Sequence, residues 1–181
     1  MDWKKYKDYI VIFIVFMVIW LMLRFVTPIT RVEGSSMMNT LQNTEMGLTT
    51  KINTTPERGD IVIVRSKINK NEQWIKRVIG LPNETISCKD GDVYVNGKEL
   101  EEPYLADGMN DTSDFGPVTL ESDEYWLMGD NRPISADSRM FGPFRQKDII
   151  SKWLFKLPIM SEISRLTTGD QENTTGTTSN H

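Results

Sequence analysis

Histidine and cysteine are almost missing from this chain of 181 residues, which has one of each: His181 at its end and Cys88 near its middle. A lone cysteine closes no internal disulfide, and a terminal histidine suits neither a Ser-His-Asp triad, a Cys-His pair nor a histidine-ligated zinc. Positive charge is not in excess either. A net charge of −4 and a pI near 5.1 provide no basic field of the kind that holds nucleic acid, so no nucleic-acid partner is expected. No alanine occurs before Ala106, so the small residues that a cleavable secretory signal needs behind its apolar core are lacking. The sequence shows no internal repeat.

Apolar sequence, by contrast, is abundant near the start. Residues 9–23 are all apolar or aromatic, and past Arg24 the run continues to Val26. About 18 residues make a helix about 27 Å long, close to the ~30 Å hydrocarbon core of a bilayer. Arg24 falls at the end of the run, where its stem can snorkel toward headgroups. Lys4, Lys5 and Lys7 precede the run and assign the N-terminus to the cytoplasmic side. The expected organisation is a cytoplasmic N-terminus at 1–8, a transmembrane signal-anchor helix at 9–27, an extracytoplasmic β-rich domain at 28–162 and a disordered polar tail at 163–181. Thr, Gly, Asn and Ser dominate the tail, and no core can be built from them. A domain of about 130 residues can bury a real core, and no second catalytic domain fits beside it.

Beyond Thr27-Pro28 the pattern is that of short strands rich in branched residues. Residues 60–64 and 74–79 are the clearest. Leu81-Pro82-Asn83-Glu84 reads as a turn, residues 85–88 and 93–95 pair across Lys89–Asp92, and Asn96-Gly97 begins a tight reversal that needs positive φ. Residues 106–115 read as a polar loop, and 124–128 as a strand leading into Gly129-Asp130-Asn131. An apolar stretch, 154–160, ends the domain or touches the bilayer. The expected fold is mainly β, a coiled antiparallel sheet behind one N-terminal transmembrane helix.

With no usable histidine, a serine nucleophile must take its base from lysine or a carboxylate. At the ordinary lysine pKa of about 10.4, roughly one molecule in 2,500 is neutral at pH 7; a value near 8 makes that about one in ten. Burial in an apolar pocket or a nearby cation produces such a shift. Strand alternation puts Trp74, Lys76 and Val78 on one face, which offers that environment. Periodicity alone fits an ordinary exposed strand lysine beside Arg77 better, and Gly34-Ser35-Ser36 alone fits a loop or helix cap better than a nucleophile.

Three ordered segments change the weighing: Val32-Glu33-Gly34-Ser35-Ser36-Met37-Met38-Asn39-Thr40-Leu41, Trp74-Ile75-Lys76-Arg77-Val78-Ile79-Gly80-Leu81-Pro82, and Gly129-Asp130-Asn131-Arg132-Pro133-Ile134-Ser135-Ala136-Asp137-Ser138-Arg139. Together they resemble the type I signal peptidases, membrane-bound Ser/Lys proteases, over nearly the whole chain to about Lys156. The resemblance implies a serine endopeptidase that cleaves signal peptides from exported preproteins at the membrane surface. It makes Ser36 the nucleophile, Lys76 the general base and Ser135 the hydroxyl that hydrogen-bonds and orients that lysine. Gly34, Ser36 and Met37 would shape the oxyanion site and cleft, and Arg77, Asp130, Asp137 and Arg139 would pair charges around them. Arg58-Gly59-Asp60 resembles a structural family element. No metal or organic cofactor is implied, and the partners are preprotein signal peptides and the bilayer.

Three positions depart from the family pattern. Asn39 stands where proline is usual, Asn83 where glycine is usual, and Gly34 where some branches carry a hydroxyl. Distance supports the substrate class separately: the ten or so residues from Val26 to Ser36 reach at most about 35 Å, so the nucleophile stays near the membrane surface. Two other readings remain: a catalytically silent homologue that binds or scaffolds at the membrane, and a self-cleaving Ser/Lys protease of the stress-response repressor type.

Overall fold

A computed structural model of the chain describes residues 3–26, 28–51, 55–109 and 113–158. The expected tail, 163–181, and the last residues expected of the domain lie outside the described residues. Helix α1 spans Trp3–Val26 and so begins well before the expected residue 9. No glycine or proline interrupts its first turns, and it stops ahead of Pro28, which disfavours helix in the residue before it. From Tyr9 to Leu21 its side chains are apolar on every side and exposed, the pattern of a helix with no core to face. Among the described residues no helix is long and apolar enough to cross a membrane. The α1 backbone extends at both ends beyond Tyr6–Leu21, the stretch whose side chains are described.

The remainder is mainly antiparallel β. In chain order the strands are β1 (Ile29–Arg31), β2 (Met46–Thr50), β3 (Ile61–Arg65), β4 (Gln73–Gly80), β5 (Thr85–Lys89), β6 (Asp92–Val95), β7 (Lys98–Glu99), β8 (Phe115–Thr119), β9 (Glu124–Met128), β10 (Phe144–Arg145) and β11 (Ile149–Lys156). A short helix, α2 (Ser138–Phe141), lies between β9 and β10. Seven strands form one sheet in the order β1-β2-β11-β3-β4-β9-β10, and four form a second in the order β7-β6-β5-β8.

The strands expected around residues 60–64, 74–79, 85–88, 93–95 and 124–128 are β3, β4, β5, β6 and β9. Asn96 and Gly97 both take positive φ and join Val95 to Lys98 across a two-residue reversal, as expected of that pair. The loop expected over 106–115 ends one residue early. Phe115 opens β8 and stacks on Trp126 at 5.1 Å, so its apolar ring outweighs its polar neighbours. The apolar stretch from Leu154 is the end of β11, which begins with the alternating buried residues Ile149, Ser151 and Trp153. In β2, Gly47 lets the Trp153 indole lie flat on the strand; an added Cβ would sit 2.0 Å from that ring.

Three clusters build the core, and alternation along β4 feeds two of them. Val78 joins Val62, Val64, Leu127 and Phe144 on one face. Ile79 joins Ile86, Val93, Trp126 and Met128, which weld the second sheet to the first. The third cluster, Val32, Met37, Leu41, Ile63 and Trp153, seats the segment that carries Ser36. Burying Met37 and Leu41 stabilises that segment by about 2 kcal/mol each.

Candidate active site

The segment from Val32 to Glu45 is closed at its base by Val32 N–H to Glu45 O (2.7 Å) and Thr44 N–H to Val32 O (2.9 Å). Between these ends Met37 and Leu41 point into the core, which leaves Ser36 half-buried at the surface of the sheet. Asn131 holds it from outside: its N–H donates to the Ser36 carbonyl (3.0 Å) and its side-chain amide to the Ser35 carbonyl (3.2 Å). Two backbone carbonyls in succession are thereby fixed, and with them the direction of the Ser36 side chain.

Lys76 sits in the middle of β4, opposite Val62 of β3. It is 3% exposed, lies 5.9 Å from the Trp74 ring, and donates from Nζ to Ser36 Oγ at 2.8 Å. No carboxylate lies within ion-pair distance of it among the described residues. Burial pulls its pKa down from 10.5 to about 8; Asp137 and Asp130 act against that shift and Arg139 adds to it. A buried ammonium with no paired anion is costly, and shedding the proton relieves the cost.

The four other charged residues expected here form two pairs. Arg77, next to Lys76 but on the other face of β4, grips Asp130 with Nε (2.8 Å) and Nη2 (2.6 Å) and also donates to the Gly59 carbonyl. Thr40 Oγ1 donates to the same Asp130 carboxylate at 2.5 Å, which ties the Ser36 segment to the pair. Asp137, fully buried, accepts from Arg139 and from Gly129 N–H (3.0 Å). Burial pushes the Asp137 carboxyl up, yet Arg139 and the Gly129 N–H outweigh it and hold it below the usual range.

Ser135 is brought to the same place but does not make its expected bond. Its Oγ is buried beside Gly129 and has no hydrogen-bond partner among the described residues; it lies near enough to Asp137 to favour that carboxylate while outside hydrogen-bond geometry. The lysine's hydrogen bond goes to Ser36. Gly129 must be glycine here, because a Cβ would meet Ser135 Oγ at 2.2 Å and the Ser36 carbonyl at 2.5 Å. Arg58-Gly59-Asp60 is used structurally: Arg58 pairs with Glu84, Gly59 O receives Arg77, and Asp60 pairs with Lys152 at 2.6 Å.

Sequence reasoning passed over Asn131, Thr40 and Arg132, all of which lie inside the quoted segments. Glu102 and Tyr104 lie in no motif, and only the fold brings them near. Among the described residues no group of three or more His, Cys, Asp or Glu side chains could hold a metal.

Ser36 and Lys76 thus lie within hydrogen-bond reach of each other, and likeness to known proteins identifies the family. The family described as signal peptidase, peptidase S26, matches residues 5–157. The chain belongs to that family. Signal peptidase I of Bacillus amyloliquefaciens is 42% identical over 138 residues, 68% of this chain and 73% of the relative. Signal peptidase I P of Bacillus subtilis subsp. natto is 38% identical over 161 residues, 82% and 84% of the two chains. A crystal structure of a signal peptidase I from Enterococcus faecalis V583 aligns at 34% identity with a TM-score of 0.48, over 55% of this chain and 97% of that one. As a signal peptidase the chain is a serine peptidase, a hydrolase.

The departures from the signal peptidase pattern now have conformations. Asn83 has φ 67 in a turn closed by Glu84 N–H to Leu81 O (3.2 Å), and asparagine follows glycine as the residue most tolerant of that region. Asn39 has φ 75 in the turn closed by Thr40 N–H to Met37 O (3.1 Å). A proline, fixed near −65°, cannot take that conformation, so this segment turns differently from one that carries proline. Gly34 has φ 95, with open space where a side chain would project.

Proposed function

We propose that this signal peptidase removes signal peptides from exported preproteins, with Ser36 as nucleophile and Lys76 as general base, while α1 holds it in the bilayer. The observation that carries the reading is the 2.8 Å contact between Lys76 Nζ and Ser36 Oγ, made by a lysine that is buried and unpaired. That distance is within reach for proton transfer.

In the forward step neutral Lys76 takes the Ser36 hydroxyl proton as Oγ bonds to the scissile carbonyl carbon. The oxyanion that forms is met by main-chain N–H donors around Ser36, of which Ser36's own N–H is the first. Lys76, now an ammonium, returns the proton to the departing amine, which becomes the new N-terminus of the mature protein. The signal peptide stays on Ser36 as an ester. Lys76 then deprotonates a water, the water attacks the ester carbonyl, and Ser36 leaves with the proton. No step needs a cofactor. The buried pairs Arg77–Asp130 and Asp137–Arg139 hold the frame, with Ser135 buried beside Gly129.

Several features support the membrane reading. Twenty-four helical residues extend about 36 Å, the described apolar face is continuous round α1, and Lys4, Lys5 and Lys7 set the N-terminus inside. Ile29, Leu154 and Phe155 are exposed on β1 and β11, the strands flanking β2, and offer apolar contact just beyond the anchor. The peptidase domain then covers 28–162 outside the cell, with 163–181 as its tail. A cytoplasmic self-cleaving protease has no use for such a helix.

The test is direct. Full-length protein in detergent micelles, given a preprotein, yields one trimmed product; Ser36→Ala, Lys76→Ala and Lys76→Arg yield none, since a guanidinium is never neutral near pH 7. Ser35→Ala stays active. Normal turnover by Lys76→Arg would sink the mechanism, and wild-type protein without product would favour a silent binding homologue. Protease added to intact protoplasts digests the catalytic domain if the topology is right.

A further inference from the structure

Between β7 and β8 the chain leaves the second sheet and returns to the catalytic region. Arg77 Cζ lies 3.9 Å from the centre of the Tyr104 ring. The Tyr104 hydroxyl donates to Glu102 Oε1 at 2.5 Å, and Glu102 accepts both arms of Arg132, with Nη1 to Oε2 at 2.9 Å. Arg132, 1% exposed, donates from Nε to the Gly129 carbonyl (3.1 Å) and from its N–H to the Met109 carbonyl (3.2 Å). Its neighbour Asn131 holds the Ser35 and Ser36 carbonyls. A closed circuit therefore runs from the nucleophile segment through Thr40, Asp130, Arg77, Tyr104, Glu102, Arg132 and Asn131 back to Ser36.

Every other link in that circuit comes from the quoted motifs or from the segment that bears Ser36. Tyr104 and Glu102 do not, and they are the only members supplied from the second sheet's side. We infer that Tyr104 and Glu102 are positioning residues for peptide hydrolysis, fixing Arg77 and Arg132 so that Lys76 and Ser36 stay in register.

The physical reason is the guanidinium's freedom. Arg77 is tied in its own plane by Asp130 and Gly59, and nothing in that plane stops it from tilting; the Tyr104 ring covers its face, where cation–π attraction acts. Burial and the Glu102 charge hold the Tyr104 phenol far above its ordinary value, so it donates at every working pH. If Arg77 tilts away, Asp130 loses countercharge, and Asp130 is one of the groups that favour the protonated form of Lys76. The others facing Lys76 are Asp137 and Arg139, whose own pairing this change leaves in place. Freeing Asp130 thus drives the Lys76 midpoint upward and lowers the fraction of active base.

The inference rests on Lys76 as the base, so the experiment carries Lys76→Ala as its reference. Full-length wild type, Tyr104→Leu, Tyr104→Phe, Glu102→Gln and Val95→Ala are compared for kcat and KM on a preprotein across pH, together with thermal melts. Val95 packs in the second sheet's core and controls for loss of stability alone. Tyr104→Leu is expected to lower kcat about tenfold or more with KM within about twofold, and to move the ascending limb of its pH profile to higher pH. Tyr104→Phe keeps the ring over Arg77 and regains most of the rate; Glu102→Gln falls between. Val95→Ala melts earlier with the wild-type pH limb. An unmoved limb in a folded Tyr104→Leu protein overturns the inference, as does an equal loss in Tyr104→Phe and Tyr104→Leu. An active Lys76→Ala protein overturns the reading beneath it instead.

Discussion

Lys76 and Arg77 are adjacent on β4, and strand alternation sends them to opposite faces. Both are nearly buried, at 3% and 8% exposed. Arg77 is surrounded by acceptors: a carboxylate held at two points, a carbonyl and a threonine hydroxyl. Lys76 has one hydroxyl and apolar walls. The difference separates two uses of a buried cation. Pairing on one face fixes geometry; isolation on the other makes the charge costly, and burial there brings the lysine's pKa down to about 8.

The sharpest way to break that contrast is to remove the lonely charge. Lys76→Met should lose about 10³-fold or more in rate and become more stable at pH 7 by about 3 kcal/mol, the cost of the shift from 10.5 to about 8. The sign follows from which state holds the proton. The folded value lies below the unfolded one, so between about pH 8 and 10.5 the unfolded wild type binds the extra proton and wild-type stability rises with pH. The advantage of Lys76→Met is therefore full below pH 8 and fades toward 10.5 in denaturant melts. In wild type, kcat should climb about tenfold per pH unit below 8 and level off above it. A limb centred near 10 would contradict the buried, unpaired lysine.

Removing the paired charge should act oppositely. Asp130→Ala strands Arg77 without its carboxylate and should cost about 3–5 kcal/mol of stability, read as a fall in melting temperature. The two variants together test whether the faces of β4 differ in kind.

Smaller effects belong to the turns. Gly34→Ser meets no neighbour but must hold φ near 95, at about 1 kcal/mol, and by shifting the segment it should reduce the rate more than tenfold in a folded protein. Wild-type turnover would show that the Ser36 segment tolerates a different backbone. Asn83→Gly, in an exposed turn with φ 67, should stabilise by about 0.5 kcal/mol and leave the rate unchanged.

Much of this was legible because it is local. Alternation in Trp74-Ile75-Lys76-Arg77-Val78 placed the lysine on an apolar face, and Asn96-Gly97 announced its own reversal. Strand β2 gave no such signal: Met46-Gly47-Leu48-Thr49-Thr50 is weak until Trp153, more than a hundred positions away, lies across Gly47. For the same reason Tyr104 escaped notice, since its partner Arg77 is brought to it by the packing of two sheets. Ser135 shows the limit in the other direction. The motif put its hydroxyl on Lys76, while in the structure that hydroxyl lies buried beside Gly129 with no hydrogen-bond partner among the described residues. The orientation of a rotatable group is set by neighbours that a motif does not specify.

The last of the described strands, β11, lies between β2 and β3 rather than at an edge. Until it arrives, each of those strands has one flank of unsatisfied main-chain groups, and Trp153 is not yet there to close the pocket behind Met37. A chain halted before Ile149 would already contain Ser36 and Lys76 and still lack the strand that joins β2 to β3. Assembly from distant pieces is slow, and without β11 neither β2 nor β3 has its partner on that flank.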